Sequence, residues 1–399
     1  MTTSLPHHLF KTMALATSIL FLAAPAHTVQ PAPIAANRYV NRLVPENIAA
    51  VVPIVNPDLA FAPAVTEPRA VVEQVRLADD YLAGRGVARD PKMAASLYEK
   101  AAGEGDPGAQ FQIASFYQTG FGVEKNLERA AHWYQVAASN GSLPAKVNLA
   151  ITYLWGMGVA KNQALAFDLI SQAASQGSPL AACYLGDFYK FGIGTPQSRS
   201  KAEEWYRNGA RLRNPIAEFE LATMLTGDNS NSRDLRNAAK LLHQSAAAGY
   251  VPAMHALALL LVRVPSLARF PGDAVKLLND AAAAGNWRSS LLLGVMARDG
   301  NGVPVDNEAA YYHFRVAALQ GGDQAANLLA QDFALLSSKL DPGRVQAIDL
   351  RAGQWAGQHN TLLSFVARNA SDRAGFSAYA LTAPDSTSHA SQIVISSSN

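Results

Sequence analysis

Glycine returns every 36 residues along most of this chain. Gly105, Gly141, Gly177, Gly249, Gly285 and Gly321 share one register, interrupted only by Arg213. Eleven residues before each of these positions stands alanine: Ala94, Ala130, Ala166, Ala202, Ala238, Ala274 and Ala310. A second alanine column holds Ala102, Ala138, Ala174, Ala210, Ala246, Ala282 and Ala318, and a bulky column holds Tyr98, Tyr134, Ile170, Tyr206, Leu242, Leu278 and Phe314. Self-similarity at a fixed period of this length marks a stacked repeat. It leaves few folds open, because a 36-residue unit cannot bury its own apolar face and must stack on copies of itself.

Each column has a physical reason. Alanine at a fixed place lets two helix backbones approach closely, and the bulky column, with neighbours such as Trp133 and Trp205, fills the space beside that approach. The glycine suits the residue just past a helix C-terminus, where the chain turns through a left-handed conformation. The following helix opens on another small column: Ala109, Ala145, Ala181, Ala217, Ala253, Ser289 and Ala325. Inside each unit a Gly-x-Gly turn separates two helical stretches, as at Gly84-Arg85-Gly86, Gly120-Phe121-Gly122, Gly156-Met157-Gly158, Gly192-Ile193-Gly194 and Gly300-Asn301-Gly302. Asp90, Asn126, Asn162 and Asp306 then stand where the second helix needs an N-cap. The fifth unit replaces the turn with Gly227-Asp228-Asn229-Ser230, and the sixth carries Pro265 and Pro271 between its helices. Both keep the 36-residue length, so altered turns on an unbroken stack are expected.

The second unit reads Ile113-Ala114-Ser115-Phe116-Tyr117, then Gly120-Phe121-Gly122-Val123, then Ala130-Ala131-His132-Trp133-Tyr134, Ala137-Ala138 and Gly141; the fourth repeats it with Leu185-Gly186-Asp187-Phe188-Tyr189 and Trp205-Tyr206. This pattern resembles Sel-one-like repeats, relatives of the tetratricopeptide repeat, over roughly residues 71 to 358. The resemblance implies an all-α fold: a right-handed α/α superhelical solenoid of about seven such units with a C-terminal capping helix pair, used for protein–protein contacts. In such arrays the first helix of each pair lines the concave side. Anchored on the leucine-glycine pair, the inward positions become Val75, Asp79 and Leu82; Phe111, Ser115 and Gln118; Val147, Ile151 and Leu154; Cys183, Asp187 and Lys190. The later units add Phe219, Thr223 and Thr226; His255, Leu259 and Val262; Leu291, Val295 and Arg298. The set expected to hold a partner is Phe111, Ser115, Gln118, Ile151, Leu154, Asp187, Lys190, Phe219, Thr223, His255 and Arg298. The competing expectation is that Phe111, Ile151, Leu154 and Phe219 pack against the adjacent first helix.

The ends read differently. Residues 1–26 form an expected export signal, with Lys11, an apolar stretch from Met13 to Ala23 and a small-x-small cleavage site at Ala24-Pro25-Ala26. That stretch is shorter than the roughly 20 residues needed to span a bilayer, so no stable membrane insertion is expected once it is removed. Residues 27–66 form a Pro/Ala-rich leader, 67–321 the repeat array, 322–368 capping helices and 369–399 a Ser/Thr-rich tail expected to be disordered.

The chemistry in the sequence is sparse. The 33 basic and 31 acidic residues nearly cancel, so no strong field favours nucleic acid. Cys183 is alone and cannot form an intrachain disulfide. The Gly-x-Gly turns recur between helices and do not follow strands, which argues against a nucleotide site. His132, His243, His255, His313 and His359 fall in separate units with no shared metal-ligand spacing, and Asp79-Asp80 and Glu203-Glu204 read as solvated helix faces. No catalytic centre, cofactor or metal is expected. A periplasmic or secreted scaffold holding a protein partner of the cell envelope follows, with exopolysaccharide assembly or secretion as its setting. A regulatory subunit of an envelope sensor kinase is the alternative within the binding class, and a cell-wall glycan or peptide hydrolase the alternative outside it. Direct polysaccharide binding stays open, with Trp133, Trp155 and Trp287 as the aromatic candidates.

Overall fold

The computed structural model describes residues 69–374 apart from 228, 229 and 271, with side chains through His359. The expected export signal, the leader and the tail beyond Ala374 lie outside these residues. The described chain forms sixteen α-helices and no strand. Seven are first helices of a pair: α1 (Arg69–Ala83), α3 (Pro107–Thr119), α5 (Leu143–Trp155), α7 (Pro179–Phe191), α9 (Pro215–Leu225), α11 (Val251–Arg263) and α13 (Trp287–Asp299). Their partners are α2 (Pro91–Gly103), α4 (Leu127–Ser139), α6 (Gln163–Ser175), α8 (Arg199–Arg211), α10 (Ser232–Ala247), α12 (Asp273–Ala283) and α14 (Asn307–Leu328). Two more, α15 (Ala330–Ser337) and α16 (Pro342–Ala374), follow the last pair.

Side chains set most helix boundaries. Asp90, Asn126, Asn162 and Asp306 accept backbone N–H groups at the starts of α2, α4, α6 and α14. Asp106, Ser142, Ser178 and Asn214 do the same for α3, α5, α7 and α9, each with proline in the first turn, where its missing N–H costs nothing. Gly120, Gly156, Gly192 and Gly300 close their helices in the left-handed region. The second glycine of the turn answers to a neighbour as well. A Cβ on Gly122, Gly158 or Gly194 would sit 2.1–2.2 Å from the backbone of Pro91, Leu127 or Gln163, the first residue of the preceding unit's second helix.

Helices adjacent in sequence pack together from α1 to α10 and again from α12 to α15. The chain divides into two compact units within α11, one holding residues 69–257 and the other 258–359. In the first unit the core runs through Tyr98, Ile113, Phe116 and Tyr134, then Ile170, Leu185 and Phe188, then Tyr206 and Leu221. The second centres on Phe314, Leu329, Leu336 and Ile348. Every member of the first alanine column, of the bulky column and of the small column opening the first helices is buried. Ala210 alone in the remaining column is half-buried. Two glycine positions behave unexpectedly. Arg213, occupying the glycine register, takes a left-handed φ of 60°, and Gly322 in place of Gly321 provides the non-helical break inside α14.

Candidate functional site

The expected partner-binding positions all lie on first helices, yet the helices treat them differently. On α3, Phe111 is half-buried with its ring 5.8 Å from that of Tyr134, and Gln118 accepts a 2.7 Å hydrogen bond from the Tyr134 hydroxyl. Ser115 between them is fully buried, and its Oγ has no hydrogen-bond partner. Ile151 packs half-buried against the core on α5, where Leu154 is buried. Phe219 on α9 lies edge-on to Tyr250 at 5.4 Å, and Thr223, one turn on, is the exposed member of the set. His255 is buried on α11. Arg298 lies in the second compact unit, where it pairs with Asp299 and Asp332.

The densest polar cluster forms where α7 meets α8 and α9. Asp187 is buried and takes a 2.5 Å hydrogen bond from the Tyr206 hydroxyl on its Oδ1, while its Oδ2 has no partner. Lys190, one turn further along α7, pairs with Glu220 on α9 at 2.7 Å. Burial first, and then the charge of Glu220, pushes the Asp187 carboxyl well above the usual carboxylate range. Burial also pushes the Cys183 thiol up, as suits a side chain packed in the core. The sequence pattern missed Glu220. Its signal was an acid 30 residues after a lysine, an offset that also joins Glu99 to Arg129 across two second helices. Ion pairs at this offset connect neighbouring repeats, and Lys190–Glu220 does so along the first-helix row.

Trp133, Trp155 and Trp287 are half-buried, and Trp155 Nε1 has no hydrogen-bond partner. A cleft of about 390 Å³ lies beside the Gly-x-Gly turn of the second unit, lined by Tyr117, Val123, Glu124, Lys125, Asn126 and Arg129. Two of its polar residues are tied to Glu99 beside it: Arg129 covers the Tyr117 ring and pairs with Glu99, which also accepts the Tyr117 hydroxyl. Among the described residues no three histidine, cysteine or acidic side chains converge as a metal site, and no helix is long and apolar enough to cross a membrane.

The Sel1 repeat pattern matches residues 74–106, 107–142, 143–178, 179–214, 215–250 and 288–322, together more than half of the chain. The chain belongs to the Sel1 repeat family. The stretch these Sel1 matches pass over contains the sixth helix pair, with Pro265 and Pro271 between its helices. A solved Sel1 repeat protein from Oxalobacter formigenes is 28% identical, with a TM-score of 0.53, over 65% of this chain and 75% of its own. A protective antigen of uropathogenic Escherichia coli with an SLR fold is 24% identical, with a TM-score of 0.44, over 75% of this chain and 71% of its own. An immunity protein from Pseudomonas aeruginosa is 20% identical, with a TM-score of 0.34, over 54% of this chain and 81% of its own. No curated protein matches significantly. The Sel1 array is thus an all-helical scaffold suited to protein interaction.

Proposed function

We propose that this Sel1 repeat chain is a non-enzymatic scaffold of the cell envelope that holds a protein partner on its first-helix row. The observation that carries the reading is the surface around Lys190, Glu220 and Thr223. There an inter-repeat ion pair, 34% and 18% exposed at its two side chains, lies beside an exposed hydroxyl. Phe219 adds a half-buried ring on the same helix, a mixture suited to a peptide surface. Export by the N-terminal 26 residues supports a periplasmic or secreted setting, and an exopolysaccharide assembly or secretion machine is the setting to test first.

The buried members of the expected set, Ser115, Leu154, Asp187 and His255, serve this face by shaping it. Phe111 and Phe219 pack on tyrosines, so charged substitutions there would disturb the fold together with the face. Lys190→Gln combined with Thr223→Arg is the cleaner probe, since it places no new carboxylate beside Asp187 and Glu220. Cross-linking in the envelope should capture one stoichiometric protein with the wild-type chain and lose it with the double variant, helical content being equal by circular dichroism. Equal capture by both chains would move the interaction off the first-helix row.

A further inference from the structure

The first repeat exposes a leucine at a position that every later repeat buries. Leu77 on α1 is 39% exposed, whereas its equivalents Ile113, Leu149, Leu185, Leu221, Leu257 and Leu293 are all 5% exposed or less. Gln74 and Tyr81 lie one turn to either side on the same helix face. Tyr81 is half-buried, as are Tyr153, Tyr189 and Leu225 at the same register, so the contrast between repeats lies at Leu77. Gln110, the equivalent of Gln74, is buried and donates to the Ala102 carbonyl of the preceding repeat. Gln74 donates instead to Glu104 of its own repeat, and its Oε1 is buried without a partner. A Cβ on Gly122, Gly158 or Gly194 would strike the preceding second helix, whereas one on Gly86 would meet nothing within 4 Å and one on Gly302 only Met296 of its own repeat. The first repeat therefore carries the apparatus for docking a preceding element.

We propose that residues 40–61 of this chain cover the Gln74–Leu77–Tyr81 face, standing in for the second helix of a preceding repeat. Their apolar content suits them to it: Val40, Leu43, Val44, Ile48, Val51, Val52, Ile54, Val55, Leu59 and Phe61 are interspersed with only Arg42, Glu46 and Asp58 as charges. Reach is sufficient. From Phe61 to Arg69 the chain spans up to about 28 Å, and Leu77 lies about 12 Å along α1 from that entry. Covalent attachment holds the segment at a high effective concentration that a second copy or a free partner must outcompete. The segment is not another Sel1 repeat, since the pattern begins at residue 74. Its docking closes the open end of the array against end-on stacking and leaves the first-helix row as the surface for a partner.

The test uses the full chain with a benzophenone amino acid at position 77, irradiated at low concentration. Mass spectrometry should find cross-links to peptides within residues 40–61 of the same molecule. Cross-linked dimers, links to any other segment, or no link at all would overturn the proposal. An independent arm guards against disturbance by the bulky probe. In hydrogen–deuterium exchange, Val52→Asp with Ile54→Asp should cut protection of the α1 amides at least tenfold and leave α5 to α8 unchanged; unchanged α1 protection overturns it too.

Discussion

Asp187 and Tyr206 form one instance of a pairing that changes from repeat to repeat. Asp79 receives the Tyr98 hydroxyl in the first unit as Asp187 receives that of Tyr206 in the fourth. Where the bulky residue is aliphatic or phenylalanine, the facing position has no acid: Ile151 with Ile170, Leu259 with Leu278, Val295 with Phe314. A buried hydroxyl needs a partner and an aliphatic side chain must not face a charge; in the second unit, where Ser115 stands at the facing position, Gln118 takes the Tyr134 hydroxyl instead. Asp187 is the costly member, because burial and Glu220 raise its carboxyl pKa. The folded chain then holds this proton more tightly than the unfolded chain does. Its contribution to stability is greatest in acid and is lost as pH rises from the ordinary carboxylate range through the raised folded value. Asp187→Asn keeps an acceptor for Tyr206 and removes that loss. Its melting temperature relative to wild type should therefore climb between about pH 4 and mildly alkaline pH; a difference flat with pH would refute the assignment. Arg213 makes a second residue-scale case. Its φ of 60° places a side chain where the other repeats have glycine, at a cost of roughly 1 kcal/mol. Arg213→Gly should raise the urea midpoint with an unchanged m-value.

At the scale of elements, the two glycine turns of a unit look alike in sequence but differ in what holds them. Gly141 has φ 88° with nothing near its would-be Cβ, so it answers to backbone conformation alone. Gly158 has φ 72° and also lies against the start of α4, where a Cβ would come 2.2 Å from the carbonyl carbon of Leu127. Gly141→Ala should cost about 1 kcal/mol. Gly158→Ala must in addition push two repeats apart and should cost about 3 kcal/mol or more. Equal losses in denaturant titrations would show that the second glycine serves only its own turn. The helices themselves were legible from the sequence, down to the caps at Asp90, Asn126, Asn162 and Asp306, because a cap and its helix are neighbours in the chain. The reach of Gly158 to Leu127 was not, since it depends on how one pair seats on the next.

For the whole molecule, the sixth helix pair is where the pattern is weakest. The Sel1 matches skip it, the compact units divide within α11, and α12 starts without a side-chain cap. A 3₁₀ turn at Pro265–Leu267 and the exposed Phe270 lie between its helices. In a repeat array each unit is supported only by its neighbours, so stability is spread unevenly along the chain. Amides of residues 264–272 should exchange faster than those of a regular turn such as 156–162 in native-state hydrogen exchange. Equal protection would mean that the proline turn is as well supported as the glycine turns.

The sequence by itself determined the all-helical repeat, its 36-residue period and the small and bulky columns, since spacing along a helix decides which residues share a face. The structure decided how much of each face stays open. Ser115, Asp187 and His255 stand at the same register as the exposed Thr223 or the half-buried Phe111 and Phe219, yet are buried. Leu77 is open where its six equivalents are closed. Part of what covers a face comes from the neighbouring helix pair, as where Gln110 reaches Ala102 and Lys190 reaches Glu220, and no local pattern records which neighbour is there.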